Sequence, residues 1–374
     1  MDFTLPRPAE PGMAIDEVDT PALLLDLDAF ESNLDRLDAS LAEFKIRVRP
    51  HSKSHKCPEI ALRQMAHGAV GVCCQKVTEA EAMVAGGIPN VLISNQVVGP
   101  RKIKRLVSLA KRARVSVLVD DAGNVAALDA AAVDADATLD VLIEIDVGAH
   151  RCGVQPGEPS LALAKSVSAA SKLRFKGIHA YQGAAQHVRS PEDRRALITR
   201  AAQLVDETIQ LLHNNGIDCE IVTGAGTGTY PLEAASGIYN ELQPGSYIFM
   251  DADYGRNLGA DGKPIHEFEH SLFVLTTVMS RTLPERAVVD AGLKALSVDS
   301  GLPLITTTGA EYLGASDEHG VLRVDDPTRF KLGDKIRLIP GHCDPTVNLY
   351  DWIVGIRGKK VECVWPIVAR GALY

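Results

Sequence analysis

The 374-residue sequence lacks the features that identify secreted, membrane-spanning and nucleic-acid-binding proteins. No apolar stretch approaches the ~18 residues that a membrane helix requires, and the N-terminal MDFTLPRPAEPGM has no apolar core of signal-peptide length. The seven cysteines form no Cys-x-x-Cys pair, which favours reduced thiols over a disulfide framework. The net charge of −9 includes no basic patch. These absences predict a cytoplasmic protein that acts on a small molecule and binds neither nucleic acid nor membrane.

The first two thirds of the chain alternate short strand-like runs with amphipathic, helix-like segments. This alternation favours parallel strand pairing, and eight such units predict a closed (β/α)₈ TIM barrel over residues 23–255. The near-continuous apolar character of the runs fits strands that are buried on both faces. The eight strand candidates are residues 45–50, 71–75, 91–95, 115–120, 141–147, 177–182, 219–224 and 247–251.

The pattern changes after about residue 255, where strand-like runs follow one another with short Gly/Pro/Asp connections. Few residues remain for helices, so residues 256–374, together with the N-terminal residues 1–22, are predicted to form an antiparallel β domain. The predicted fold class is therefore α/β, a barrel with a C-terminal β domain. Because barrel enzymes carry their chemistry at the C-terminal ends of the strands, we expect functional residues there.

The segment Arg49-Pro50-His51-Ser52-Lys53-Ser54-His55-Lys56 ends the first strand candidate. If the backbone stays extended, His51, Lys53 and His55 share one face and Lys56 points to the other. Burial and cationic neighbours would depress the pKa of Lys53 and give a nucleophilic free amine. From these eight residues alone, a solvated surface lysine is the commoner interpretation.

Two Gly-rich turns are candidates for binding a phosphate group. Glycines allow the backbone to approach an anion closely, and successive N–H groups can cradle it. Most turns of this composition are only turns, but phosphate sites in barrels favour strands seven and eight. The candidates in these turns are Thr223, Gly224, Gly226 and Thr227 after the seventh strand, and Gly245 and Ser246 before the eighth.

The segment Gly341-His342-Cys343-Asp344-Pro345 is a candidate metal site. Extended alternation would place His342 and Asp344 on one face, and Pro345 favours an extended Asp344. Imidazole with carboxylate suits Mn²⁺ or Mg²⁺, whereas a thiolate would favour zinc. Two ligands alone are weak evidence, and a structural His–Asp hydrogen bond is the alternative.

The segment Pro50-His51-x-Lys53-x-His55-Lys56 resembles the lysine motif of the D-threonine aldolase and D-serine dehydratase family, whose members bind pyridoxal 5′-phosphate (PLP). The resemblance extends in order and spacing over nearly the whole chain. It implies the alanine-racemase-like fold, PLP fold type III, which is a PLP-binding barrel followed by a β domain. It also implies that PLP binds covalently to Lys53, with Lys56 as the second choice.

The same resemblance assigns roles to other residues of the predicted barrel mouth. Arg151 would contact the PLP ring hydroxyl, Tyr181 would lie beside the ring, and Gln243 would face the pyridine nitrogen, while both Gly-rich turns would hold the phosphate. Arg151 and Tyr181 as purely structural polar residues remain the alternative. In this family His342 and Asp344 would hold the metal, and His187 would be the catalytic base, with His51 and His55 as alternatives.

The residue pair at 342 and 344 also distinguishes two reactions within the family. D-serine dehydratases typically have His-x-Cys and hold zinc, whereas the aldolases have His-x-Asp, as this chain does. The resemblance thus implies cleavage of D-β-hydroxy-α-amino acids into glycine and an aldehyde. A dehydratase that acts by β-elimination is the alternative, while a racemase would have no use for the metal pair. A non-catalytic PLP carrier would lack the β domain.

Six segments, including 249–256 and 297–303, are similar to 3-hydroxy-D-aspartate aldolases, whereas RPHSKSHK (49–56) is closer to D-threonine aldolases. The aldehyde, glyoxylate or acetaldehyde, therefore stays open. The segment 316–320 resembles a loop that reaches the neighbouring subunit's active site in this fold. The resemblance consequently implies a homodimer.

Overall fold

The structure is a computed structural model that describes residues 6–374. Residues 1–5, which belong to the predicted N-terminal part of the β domain, lie outside this range. After a 3-10 helix (Ile15–Glu17), strand β1 (Ala22–Asp26) leads into helix α1 (Leu27–Leu41), and the Asp26 carboxylate caps α1 by accepting a hydrogen bond from the Ala29 N–H. Within residues 6–374, no helix is both long enough and apolar enough to cross a membrane.

Eight parallel strands form the predicted barrel, in the order β2-β9-β8-β7-β6-β5-β4-β3. A parallel bridge between His51 and Cys73 links the two end strands and closes the ring. This arrangement confirms the fold class expected from strand–helix alternation. The strands are β2 (Arg47–Val48), β3 (Val72–Cys74), β4 (Asn90–Gln96), β5 (Arg114–Val119), β6 (Leu139–Glu144), β7 (Leu173–Ala180), β8 (Ile221–Gly224) and β9 (Glu241–Leu242).

Helices connect the barrel strands and cover the barrel from outside. Proline in the first turn starts several of them, and Asp121 and Ser190 cap α5 and α7 by accepting hydrogen bonds from backbone N–H groups. Their apolar residues join one continuous core with the strands. The helices are α2 (Pro58–Ala66), α3 (Val77–Ala85), α4 (Pro100–Leu109), α5 (Ala122–Asp134), α6 (Glu158–Ser168), α7 (Pro191–Asn214) and α8 (Tyr230–Ala235).

The prediction that residues 247–251 form the eighth strand is wrong. Ser246–Ile248 is a 3-10 helix, and the eighth strand is the two-residue β9. Tyr247 and Phe249 are fully buried, and a short buried apolar run has the same sequence pattern whether it is a strand or not. The candidates Gly245 and Ser246 therefore follow the C-terminal end of strand eight, where barrel chemistry is expected.

The remaining strands form one nine-stranded sheet that is mainly antiparallel, as predicted, with the path β13-β14-β11-β10-β1-β16-β17 and β15 joined to β10 and β12. Strand β1 also belongs to this sheet, paired antiparallel to β10 and parallel to β16, so the predicted division at residue 23 falls within a strand. The other elements are β10 (Leu272–Leu283), β11 (Arg286–Val289), β12 (Leu304–Ile305), β13 (Ala310–Ala315), β14 (Gly320–Val324), β15 (Lys335–Ile339), α9 (Cys343–Val347), β16 (Trp352–Arg357) and β17 (Lys360–Pro366).

The loop after β15 lies against the segment that follows the barrel's last strand. The Ala252 N–H donates to the Pro340 carbonyl at 3.0 Å, and the Asp253 N–H donates to the Gly341 carbonyl at 3.2 Å. The buried Asp251 carboxylate accepts from the Cys343 N–H at 2.9 Å. These bonds hold the predicted metal segment over the mouth of the barrel.

Candidate active site

A pocket opens at the C-terminal ends of the barrel strands, with an empty volume of about 600 Å³. The predicted cofactor residues that line it are Lys53, Arg151, Tyr181, Gly226, Thr227, Gln243, Gly245 and Ser246. The other lining residues, to which sequence reasoning gave no role or only an alternative one, are His51, Gln75, Ser94, His179, Ala225 and Tyr254.

Lys53 lies in a 3-10 turn, Ser52–Ser54, rather than on an extended strand, so the predicted alternation fails here. Its ammonium group is paired with the Asp344 carboxylate. The predicted depression of the Lys53 pKa is also wrong in this arrangement. Burial acts to lower the pKa of Lys53, but the negative charge of Asp344 outweighs it and raises the pKa above its ordinary value. Burial acts to raise the pKa of Asp344, but the positive charge of Lys53 outweighs it and lowers this pKa to about 2.

The other lysine of the motif does not line the pocket. The Lys56 side chain is buried, and its ammonium nitrogen lies 3.5 Å from the Ala369 carbonyl oxygen. His55 is buried as well, and its Nδ1 accepts a hydrogen bond from the Cys57 N–H. Of the two candidate lysines, the structure brings only Lys53 to the pocket.

His342 and Asp344 are not on an extended segment, because α9 begins at Cys343 and His342 is its N-terminal cap. Pro345 lies in the first turn of this helix, where proline is tolerated. Asp344 contacts Lys53 at the pocket, and His342 Nδ1 lies 2.8 Å from an Asp299 carboxylate oxygen. Metal-binding histidines commonly have such a carboxylate on the second ring nitrogen, so this donor set fits a divalent ion. Sequence reasoning missed Asp299, whose membership of the segment 297–303 was its only signal.

A second group of metal-ligand type lies elsewhere in the described residues and does not include the predicted pair. It consists of Asp120, Glu144 and Cys152, whose ligand atoms lie within 4.8 Å of one another. Glu144 accepts a hydrogen bond from Gln96 Nε2 at 2.5 Å and lies 4.0 Å from Arg151. Burial raises the pKa of Cys152, which disfavours the thiolate that a metal needs. These carboxylates therefore act as acceptors for neighbouring donors.

A buried chain of hydrogen bonds supports Gln243 at the wall of the pocket. His179 Nε2 donates to Gln243 Oε1 at 3.2 Å, and Gln243 Nε2 donates to Thr223 Oγ1 at 2.8 Å. His179 Nδ1 faces Glu144 at 3.6 Å. Each end of the Gln243 amide makes one hydrogen bond, which leaves one N–H of the NH₂ group and one lone pair of the oxygen for a ligand. Thr223 thus supports the pocket without lining it.

The turn after β8 has the properties of an anion cradle. Ala225 has a left-handed backbone (φ 68°), and a Cβ on Gly226 would lie 2.5 Å from Gln186 Oε1. Thr227 Oγ1 is buried without a hydrogen-bond partner among the described residues, although it borders the pocket. A buried orphan hydroxyl beside tightly packed glycines fits a phosphate group.

Arg151 and Tyr181 lie together at the rim. The Arg151 guanidinium is 5.5 Å from the centre of the Tyr181 ring, and both side chains line the pocket. The ring and the guanidinium are therefore placed to contact a planar, anionic ligand. With Lys53, Gln243 and the anion cradle, these residues fit PLP.

His187, the predicted base, does not line the pocket but packs beside Tyr254, which does, with 5.0 Å between ring centres. Its Nδ1 lies 2.5 Å from an Asp253 carboxylate oxygen, and its side chain is half-exposed. A carboxylate on Nδ1 leaves Nε2 for proton transfer. Of the alternative bases, His51 lines the pocket, but burial followed by the Lys53 charge lowers its pKa well below the usual value. Burial lowers the pKa of His55 to about 4.

Glu233 in α8 is a buried acid close to the anion cradle. Its Oε1 accepts a hydrogen bond from Thr229 Oγ1 at 2.8 Å, while Oε2 has no partner among residues 6–374. Burial raises the pKa of Glu233 from its ordinary value of 4.5 to about 7. Below that pH the acid is neutral, which avoids repulsion of an anion bound nearby.

We expect Glu233→Gln to make the protein more stable at pH 8 and to leave its stability at pH 5 nearly unchanged. Between about pH 4.5 and 7 the Glu233 carboxyl group is protonated in the folded protein but ionised in the unfolded chain. The free energy of unfolding therefore falls by up to ~3 kcal/mol as the pH rises through this range. Denaturant unfolding at both pH values measures the difference. Glu285→Gln, at an exposed position, is the control, and an equal pH dependence of the Glu233→Gln variant and the unsubstituted protein would contradict the prediction.

Comparison with known proteins agrees with this fold. Residues 25–253 match the family model of the alanine racemase N-terminal domain, which is more than half of the chain. The chain belongs to this family. Residues 271–356 match a second model, that of a serine dehydratase domain. The resemblance drawn from the lysine motif is thereby confirmed for the barrel and for the β domain.

Individual relatives of this chain include two aldolases and a dehydratase. A 3-hydroxy-D-aspartate aldolase from Paracoccus denitrificans (strain Pd 1222) is 52% identical over 98% of this chain and 96% of its own length. The crystal structure of a D-threonine aldolase from Filomicrobium marinum is 51% identical, covers 98% of this chain and 100% of that chain, and has a TM-score of 0.95. A D-threo-3-hydroxyaspartate dehydratase from Delftia sp. (strain HT23) is 28% identical over 88% of this chain and 92% of its own length.

Proposed function

We propose that this chain is a PLP- and divalent-metal-dependent aldolase, a carbon–carbon lyase. It cleaves D-β-hydroxy-α-amino acids, either 3-hydroxy-D-aspartate or D-threonine, into glycine and an aldehyde, glyoxylate or acetaldehyde. The observation that carries the proposal is the contact between Lys53 and Asp344, because it joins the predicted PLP lysine to the predicted metal segment at one pocket. The full-length similarity to two aldolases supports it.

PLP, when bound, supplies an electron sink that stabilises negative charge on the substrate Cα, and a divalent ion (Mn²⁺ or Mg²⁺) supplies a Lewis acid. Lys53 is the residue that would hold PLP covalently, with Arg151, Tyr181 and Gln243 around the ring. The turn with Thr223, Gly224, Gly226 and Thr227 would hold the phosphate, with Gly245 and Ser246 opposite. His342 and Asp344 would hold the metal.

The protein's own part in the reaction is to orient the substrate and to move one proton. His187 takes the proton of the β-hydroxyl group, and the Asp253 carboxylate beside Nδ1 stabilises the imidazolium that forms. Tyr254 packs against the His187 ring and limits its motion. Asp251 fixes the backbone of the metal segment relative to the barrel, which keeps His342 and Asp344 in place.

The second candidate function is β-elimination of water, which would yield a 2-oxo acid and ammonia. The serine dehydratase domain match over residues 271–356 favours it. His342-x-Asp344, in place of the His-x-Cys expected of dehydratases, favours the aldolase, as does the lower identity to the dehydratase.

We also infer a homodimer and a cytoplasmic location. The dimer is supported by the resemblance of the segment 316–320 to a loop that completes the neighbour's site, and this segment is exposed for most of its length in the single chain. The location is supported by seven free thiols. Light scattering of the purified protein tests the dimer.

A product assay tests the proposed reaction. Protein loaded with PLP and Mn²⁺ is given D-threonine and, separately, erythro- and threo-3-hydroxy-D-aspartate. We expect glycine and the matching aldehyde in equal amounts, and we expect a chelator to abolish both. Ammonia and a 2-oxo acid without glycine would instead assign the chain to the dehydratases.

A further inference from the structure

Three cationic or ionisable nitrogen groups converge on a single carboxylate beside the pocket. Asp253 Oδ1 accepts hydrogen bonds from Arg189 NH2 and from Arg256 NH2, while its Oδ2 lies 2.5 Å from His187 Nδ1. One carboxylate neutralises one of the two guanidinium groups. Asp253 therefore cannot neutralise both guanidinium groups.

The two arginines differ in how fully their donors are used. Arg189 donates through NH1 to the Asp253 carbonyl and to Asn257 Oδ1, each at 2.7 Å, in addition to its bond with the Asp253 carboxylate. Arg256 uses only NH2, and within residues 6–374 its Nε and NH1 make no hydrogen bond. Arg189 is thus committed to the fold, whereas Arg256 keeps donors for a ligand.

Arg256 also reaches the metal segment from the barrel side. Its NH2 donates to the Ser300 carbonyl at 2.6 Å, and Ser300 Oγ lies 3.5 Å from His342 Nδ1. The arginine therefore bridges Asp253, which holds the proposed base, and Ser300, which contacts the predicted metal ligand. Its side chain is about half-exposed, so a ligand can reach it.

We propose that Arg256 recognises a carboxylate on the substrate β-carbon, so that the preferred substrates are D-β-hydroxy-α-amino dicarboxylic acids rather than D-threonine. This inference rests on the proposed function. In 3-hydroxy-D-aspartate the β-hydroxyl and β-carboxylate share one carbon. A hydroxyl held beside the predicted metal pair therefore brings the carboxylate towards Arg256, which donates to Ser300 beside His342. A guanidinium with free donors matches that group, whereas the methyl group of D-threonine gains nothing from it.

The first test compares kcat/KM for 3-hydroxy-D-aspartate and D-threonine in the PLP- and Mn²⁺-loaded protein and in Arg256→Met and Arg256→Lys. We expect Arg256→Met to lower the ratio of the two values by about 10- to 100-fold, because a charge-assisted hydrogen bond is lost for one substrate only. Arg256→Lys keeps the charge beside Asp253 and should lose less. Arg36→Met is the matched control, since Arg36 is similarly exposed and also pairs with an acidic residue.

Equal losses for both substrates in Arg256→Met and Arg256→Lys would overturn the inference, because Arg256 would then act only by holding Asp253 and His187.

A second test does not depend on turnover. The change in absorption of bound PLP measures the dissociation constants of D-aspartate and D-2-aminobutyrate, neither of which has a β-hydroxyl group. We expect the unsubstituted protein to bind D-aspartate more tightly and Arg256→Met to lose that preference.

The two tests separate this inference from the proposed reaction. If neither hydroxy amino acid is cleaved but Arg256→Met still abolishes the preference for D-aspartate, the aldolase proposal fails and the role of Arg256 stands. If both are cleaved and D-aspartate shows no preference in the unsubstituted protein, the aldolase proposal stands and the role of Arg256 is refuted.

Discussion

Lys53→Ala should abolish covalent PLP binding and lower the rate of glycine formation by about 10³-fold or more. The variant lacks the only amine of the two candidates that lines the pocket, so no nucleophile remains to hold the cofactor carbonyl. Arg151, Gln243 and the anion cradle stay in place, so free PLP can still bind, but without a bond to the protein. Borohydride reduction of the loaded protein followed by peptide mass spectrometry measures the loss directly, since it fixes PLP to the amine that bound it.

Lys56→Met is the matched control, because Lys56 is three residues away and is buried against the Ala369 carbonyl oxygen instead of facing the pocket. We expect this variant to retain the reduced PLP–peptide adduct at Lys53 and most of its activity. An adduct on Lys56 in the unsubstituted protein, or an adduct that survives in Lys53→Ala, would refute the assignment. Thermal unfolding of both variants checks that a loss reflects chemistry rather than folding.

The barrel could be predicted from sequence because strands β3 to β8 are mainly apolar runs separated by helical segments. The eighth strand could not be predicted, since β9 is two residues long and begins with Glu241, a residue that strands rarely bury. The burial of Glu241 depends on an ion pair with Arg49, which lies 192 residues earlier in the sequence. The distance between Arg49 Nε and Glu241 Oε1 is 2.9 Å. The apolar 247–251 run was the more strand-like segment of the two.

The candidate site likewise combines residues from short sequence motifs with residues that contact each other only in the folded protein. Lys53 and the glycines of the anion cradle belong to short motifs, so the sequence predicts them. The supporting residues depend on contacts between distant parts of the sequence. Asp299 and His342 are 43 positions apart, and His179 and Gln243 are 64 positions apart. The extended geometry assumed for residues 51–55 and 342–344 also fails, because only the first residue of each segment is extended and a helical turn follows it.

Asp344→Asn should lower kcat/KM for the aldol cleavage by about 100- to 1,000-fold and reduce the amount of tightly bound Mn²⁺. Of the predicted ligand pair, this residue is the one that supplies a negative charge, and a hard divalent cation depends on carboxylate oxygens. Loss of a Lewis acid beside a developing alkoxide costs several kcal/mol of transition-state stabilisation. Elemental analysis of the loaded protein and an Mn²⁺ titration of activity measure the two effects separately.

Cys343→Ala supplies the control for the Asp344 substitution, since Cys343 lies between the two predicted ligands and its thiol is buried. Burial raises the pKa of Cys343 well above its usual value, which keeps the thiol protonated and unsuited to bind metal. We therefore expect Cys343→Ala to retain Mn²⁺ and activity, whereas His342→Ala should behave like Asp344→Asn. The opposite result, with metal lost from Cys343→Ala and retained in Asp344→Asn, would make the site a thiolate site and would favour β-elimination over aldol cleavage.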